Sequence, residues 1–382
     1  MRKIYASAFL VFVLSVFFTL SCSKSDDDNY VPVDPDPVSP VVVDLTQVPY
    51  AKLSDYHFFE GELKNQEPSF GMLPFAPASQ LFTDYAHKKR FVWMPEGTKA
   101  TFTSDSEILE LPVGAALVKS FYFKNVQNIA TPGQTRIIET RVMIRKVNGW
   151  IFADYVWNSD QTEAFLDLAG SPTTVVWRDT EGEDHTVQYR IPNESQCIVC
   201  HKQQNGGGQE ITMIPIGIKP QNLNYNFNYG SESTNQLEKW IEYGYLEGNF
   251  SLPNADNSAV DYNDATQSLE KRARSYVDAN CAHCHMNNRH CDYRPMRFAF
   301  SETGASNGLT NMGVCVNTQD MQGFPTTLNK IIAPRAPENS MLFYRLNTVD
   351  ESYRMPLHGR SVIHREGIAL MESWINSLDS CD

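Results

Sequence analysis

Cysteine and histidine recur twice in one five-residue arrangement, Cys197-Ile198-Val199-Cys200-His201 and Cys281-Ala282-His283-Cys284-His285. On a helical turn, positions i, i+3 and i+4 share a face, so the two thiols and the final imidazole of each motif point the same way. That arrangement fits covalent haem attachment. The thiols add to the two vinyl groups while the histidine ligates the iron from the same side. With 8 Cys and 9 His in 382 residues, composition alone yields about 0.004 such motifs per chain, so coincidence is a poor explanation for two. Paired Cys-x-x-Cys segments also make zinc sites and redox disulfides. The histidine directly after each pair, and an export signal at the start of the chain, favour haem. Two haem c groups (iron) are expected, on Cys197, Cys200 and His201 and on Cys281, Cys284 and His285.

The ligand opposite each histidine sets the redox behaviour. Met355 lies in Arg354-Met355-Pro356-Leu357-His358-Gly359, just before the last amphipathic segment. This resembles the distal-ligand loop of small cytochromes c, so Met355 is expected opposite His285, with His358 and His364 as alternatives. A thioether there stabilises ferrous iron and raises the potential. Met213, in Ile211-Thr212-Met213-Ile214-Pro215-Ile216-Gly217, echoes that loop and is expected opposite His201. The alternatives are His87, His185, Met94, Met143 or an open position. Among the other cysteines, Cys291 and Cys315 are expected to form a disulfide in an oxidising compartment, with Cys381 as competitor. His283 and His290 read as solvated groups or propionate contacts.

These motifs need an exported protein, and the first residues supply one. Arg2 and Lys3 precede the apolar run Phe9 to Leu20, which is too short to span as a mature helix. Thr19-Leu20-Ser21-Cys22 resembles a bacterial lipoprotein signal, in which Cys22 carries the lipid. Residues 1–21 are therefore read as signal peptide and 22–43 as lipid anchor and tether. Asp26, Asp27 and Asp28 resemble the acidic tag of surface-exported lipoproteins, and Pro32, Pro35, Pro37 and Pro40 favour extended backbone that buries no core. The expected location is a lipid-anchored outer membrane, on its periplasmic face or at the cell surface. A formal charge of −13, from 32 basic and 45 acidic residues, disfavours nucleic acid and steers basic extracytoplasmic redox proteins towards the chain.

The elements that must position the motifs follow. Residues 44–191 hold β-type segments at Ala116 to Lys124, Thr135 to Val147, Trp150 to Val156, Thr173 to Arg178 and Thr186 to Ile191, rich in Val, Ile, Thr and aromatics. A short helix is expected from Asp160, with Ala164, Phe165 and Leu168 on one face. Beyond Pro192 helical patterns take over: Leu237, Trp240 and Ile241; Leu269, Ala273, Tyr276, Val277 and Cys281; then Ile368, Met371, Trp374, Ile375 and Leu378. The expected fold is α+β and multidomain, an N-terminal antiparallel β domain (44–191) followed by two mainly α cytochrome c-like haem modules, 192–262 and 263–382.

With these residues in place, the chain resembles a family of bacterial dihaem c-type cytochromes, many of them lipoproteins. The resemblance runs over most of the mature chain, through Leu81-Phe82-Thr83-Asp84-Tyr85-Ala86, Trp157 to Ala164, Ile191-Pro192-Asn193, Gln221-Asn222-Leu223-Asn224, Asn280 to His285, and the Met355 loop with Gly367 and Trp374-Ile375. Electron transfer through two haems is the leading expectation. The alternatives are a peroxidase-like redox enzyme with one open haem, and a recognition role for the β domain.

Overall fold

The computed structural model describes residues 37–205 and 210–381. The expected signal segment, Cys22 and most of the expected tether lie outside them; the tether's described end does not stay free, since Ser39 bonds to Phe70 and Trp93 and Val41 is buried in the core. Apolar and β-branched alternation builds an eight-stranded antiparallel sheet from Leu73–Pro74, His87–Trp93, Ala116–Val126, Gln134–Lys146, Gly149–Trp157, Ala164–Leu166, Ser171–Arg178 and Asp184–Ile191. In strand order Ala116–Val126 is central. It pairs with His87–Trp93 and, at Val126, with Ser171–Arg178 along one edge, and with Gln134–Lys146 along the other.

Register decides what each face buries. Phe91, Val118, Val142 and Ala153 stand opposite one another and pack against Val41, Leu53, Tyr56 and Phe58. The next row, Val92, Leu117 and Met143, points to the other face and packs with Leu223, Leu237 and Trp240. Both faces are therefore covered. Trp240 is fully buried, and by analogy with other large core truncations its loss would cost about 3–5 kcal/mol.

Residues 192–262 thus lie on the sheet, sharing its core, and do not form a mainly α haem module. Their helices are Glu194–His201, Pro220–Leu223 and Gln236–Glu242, interleaved with the hairpins Lys202–Asn205/Glu210–Met213 and Asn226–Asn228/Ser233–Asn235. Prolines at 215, 220 and 253 and a run of asparagines break any longer helix. The C-terminal part departs from expectation in the same way. Leu269–Val277 and the final helix Arg365–Ser377 pack through Ala273, Tyr276, Leu370, Met371 and Trp374. Between them lie only helices of three to six residues. Two of them pack closely, since a Cβ at Gly308 would sit 2.1 Å from the Thr303 carbonyl oxygen. The expectation of an α+β chain with two mainly α modules is replaced by one large β-sheet covered by short helices, turns and hairpins. The expected helix at Asp160 is also absent. Residues 158–163 form a turn, and Ala164–Leu166 pairs as a strand with Tyr155 to Trp157. Among the described residues no helix is long and apolar enough to cross a membrane.

Cys315 bonds to Cys381, not to Cys291. Cys291 donates its backbone N–H to the Cys284 carbonyl at 3.0 Å. That turn folds it back against its own motif, where it is a buried free thiol. The disulfide closes a separation of 66 residues, which on the chain-entropy account stabilises by about 4 kcal/mol. Cys381→Ser should accordingly lower the denaturant midpoint under non-reducing conditions and leave Cys315 open to alkylation. An unchanged midpoint would show that the crosslink adds nothing.

Candidate cofactor site

The first motif lies on the helix Glu194–His201. Asn193 starts it with a capping box: its side chain accepts from the Gln196 N–H while the Gln196 side chain accepts from the Asn193 N–H. The second motif follows Leu269–Val277 through a π-helical turn, Asp278–Ala282, after which the Cys284 and His285 N–H groups both donate to the Cys281 carbonyl. A π-turn inside a helical run often marks a functional site. Here it turns Cys281 and His285 onto a common wall.

Each motif faces its own cavity. Cys197, Cys200 and His201 line one of about 420 Å³. Cys281, Cys284 and His285 line another of about 370 Å³. The two share wall residues, since Cys200, His283, Pro356 and His358 border both. One ligand atom from each of Cys200, His283 and Cys284 falls within a 4.8 Å cluster, and the Cys284 thiol approaches the Val199 carbonyl at 4.0 Å. The two motifs therefore meet directly.

The protonation states suit iron ligation. His201 Nδ1 lies 2.8 Å from the Ile214 carbonyl, which assigns the proton to Nδ1 and leaves Nε2 as the free donor atom. Burial pushes this imidazole down to about 4, so it is neutral at pH 7. Phe152 meets its ring edge-on at 4.8 Å between centroids. Burial also takes His285 down to about 4, and its Nδ1 is buried without a hydrogen-bond partner among the described residues. The four motif thiols are free. Burial raises Cys197 to about 11 and Cys281 to about 12, which keeps both as thiols. Hydrogen bonding with Cys284 holds Cys200 well below its ordinary range and raises Cys284. Two cysteine sulfurs and a neutral imidazole close in sequence beside a partly enclosed cavity are a donor set that would fit haem at each position, one on Cys197, Cys200 and His201 and one on Cys281, Cys284 and His285.

Met355 lines the second cavity together with Cys281, Cys284 and His285. Met213 does not line the first. It stands opposite Lys202 in the hairpin that follows His201 and packs on the Leu237 and Trp240 cluster, because the short stretch after His201 turns straight back. Of the alternatives, Met94 is buried in that same cluster, His87 stacks on Tyr122, and His185 pairs with Asp179 at 2.6 Å. Met143 does reach the first cavity, as do Met286 and His358.

Other residues that build the site carry no motif. The buried Asp84 accepts from the Ser361 N–H at 2.6 Å, the Ser361 hydroxyl at 2.9 Å and the Val362 N–H at 3.1 Å, tying the Met355 loop to the segment before His87. Arg360 donates to the carbonyls of Met355, Val362, Arg345 and Thr348, which closes the loop on itself. Asp84 lies in the Leu81 to Ala86 stretch, whose residues alone assign it no chemistry, and the long-range contact reveals its role. His364 follows the same loop. It stacks on Phe82 at 4.1 Å between centroids, and burial holds it down to about 4.

Compared with family models, curated proteins and solved structures, the chain finds no match.

Two outcomes follow. Asp84→Ala leaves two backbone donors and a hydroxyl without an acceptor and should cost about 3 kcal/mol, measured by urea denaturation against the parent chain. His364 has a folded value of about 4 below an unfolded value of about 6.5, so the unfolded chain takes up the proton first as pH falls. Its contribution is complete above about pH 6.5 and is lost progressively towards pH 4. Urea midpoints should fall across that window and stay flat above it, with a shallower fall in His364→Gln. An equal slope in both proteins would remove His364 from the account.

Proposed function

We propose that this chain is a dihaem c-type cytochrome that transfers electrons between extracytoplasmic redox proteins, tethered to a membrane through lipid on Cys22. The observation that carries the reading is the pairing of each attachment motif with its own cavity, the two cavities meeting at Cys200 and His283. Bound there, haem iron supplies one-electron exchange. The protein's part is to hold and tune it. His201 is oriented by the Ile214 carbonyl, and His285 is kept neutral by burial. Met355 is the thioether on the second cavity's wall, and Asp84 and Arg360 fix the loop that carries it. The residues by which the sequence resembles bacterial dihaem cytochrome lipoproteins, among them the two Cys-x-x-Cys-His motifs, point the same way.

A second reading, a peroxidase-like enzyme with one open haem, is favoured by a single observation: Met213 packs away from the first cavity. The coordination state of the first haem separates the two.

Expression of the full chain with cytochrome c maturation machinery should give a mass increase of two porphyrins and two haems per chain by pyridine haemochrome assay. Replacing Cys197 and Cys200 by Ala should leave one. Met355→Leu should lower one midpoint potential and turn that iron high-spin. Two low-spin six-coordinate haems in the parent protein support the carrier, whereas high-spin ferric iron with peroxide turnover supports the enzyme. A chain with no porphyrin mass and a metal on Cys200, His283 and Cys284 would sink both.

A further inference from the structure

The sheet places three cations in one row on the first cavity's wall. Arg90 stands opposite Lys119, and Lys119 opposite Arg141, and all three line the cavity. Like charges directly opposite across antiparallel strands repel; Arg90 is 8% exposed, and Lys119 and Arg141 are half-buried. A chain with net charge −13 has acids available to neutralise such a row, yet few are used. Arg141 is held by Glu139 at 2.6 Å, with Asp154 at 3.7 Å. Arg90 has only the Gln80 amide oxygen, at 3.0 Å. Lys119 has no carboxylate within salt-bridge distance among the described residues, and its ammonium lies over the Phe121 ring at 4.6 Å.

The cavity's own acids are committed elsewhere. Asp84 accepts from Ser361 and Val362, and Asp278 accepts from Lys219, Asn222 and the Phe300 N–H. Arg354, also on the lining and 8% exposed, pairs with the cavity's third acid, Glu351, at 3.0 Å, and keeps a buried Nε without a partner among the described residues. Arg90 and Lys119 are therefore the cations of the row without an acid, and in a partly enclosed cavity such a pair is the signature of a missing anion.

We propose that Arg90, Lys119 and Arg141, with Arg354, form a cradle for carboxylates in the first cavity. Two sources share that chemistry: the propionates of a porphyrin attached to Cys197 and Cys200, which rests on the function proposed above, and a small free carboxylic acid. In either case Lys119 supplies the charge that no protein acid balances, and Arg90 flanks it.

The test compares the full chain with Lys119→Gln and Lys119→Arg. In the haem-loaded protein, Lys119→Gln should lower one of the two midpoint potentials and leave the other in place, because a lost cation favours the ferric state, while Lys119→Arg restores it. Malonate, against sodium chloride at equal ionic strength, separates the sources. No effect of malonate on melting temperature alongside the shifted potential assigns the cradle to propionates. A saturable rise in melting temperature in the parent chain, absent in Lys119→Gln, assigns it to free carboxylates. Neither a shifted potential nor a malonate response overturns the proposal. If mass spectrometry finds no porphyrin, the electron-transfer reading fails, and the malonate comparison still decides the cradle.

Discussion

The constraint from which the architecture follows is that the strand Ala116–Val126 is buried on both faces. An antiparallel sheet commonly keeps one side wet, but here Val118 and its row need one cover and Leu117 and its row another. Tyr56, Phe58 and their neighbours provide the first. Leu237 and Trp240, from beyond the first Cys-x-x-Cys-His motif, provide the second. Residues 192–262 are thereby drawn onto the sheet, and His201 comes to rest between Phe152 of a strand and the Ile214 carbonyl. The sheet forms part of the wall around the first motif and is not a separate appendage.

That placement has an electrostatic consequence. On the face that carries Leu117, Met143 and Phe152, the next row along is Lys119, Arg141 and Asp154, so an apolar patch gives way to buried charge within two residues. Two carboxyls, Glu139 and Asp154, share the Arg141 guanidinium. Although burial opposes it, Arg141 keeps Glu139 below its usual range, helped by the Tyr189 hydroxyl donating at 2.6 Å. Burial and the Glu139 charge push Asp154 well up. One guanidinium thus holds one ionised acid and leaves the second inclined to keep its proton. Such a group cannot neutralise Arg90 and Lys119, which line the first cavity with no carboxylate partner among the described residues.

The legible and illegible parts of the sequence divide along the same physical line. The strands around Thr135 to Val147 and Trp150 to Val156 were readable because β-branched and aromatic residues dominate them. The strand His87–Trp93 was not, because it opens with His87, Lys88, Lys89 and Arg90, whose charges hide the strand period in what looks like a solvated run. The two Cys-x-x-Cys-His motifs stand out in the sequence because their spacing is local to five residues. That the Met355 loop comes beside the second motif was readable from the loop, whereas the place of Met213 was not, because whether a methionine meets a cavity or a core depends on a hairpin closed by Lys202. The Cys315–Cys381 bond joins the chain's end to a distant turn, and no local pattern distinguishes it from Cys291 with Cys315.

The same loop that brings Met355 to the second cavity also brings Pro356 and His358 to the wall shared with the first. Its position is set from two directions, by Arg360 holding carbonyls on either side and by Asp84 gripping Ser361 and Val362 from the segment before the sheet. A displacement of this loop would move the lining of both cavities together, because Pro356 and His358 border each of them alongside Cys200 and His283. The linings of the two cavities are therefore linked through Met355 to His358, and that link is secured by a buried carboxylate contributed from the β-rich part of the chain. The sheet consequently bears on the second motif as well as the first, although it contributes no atom to the second motif's thiols or imidazole.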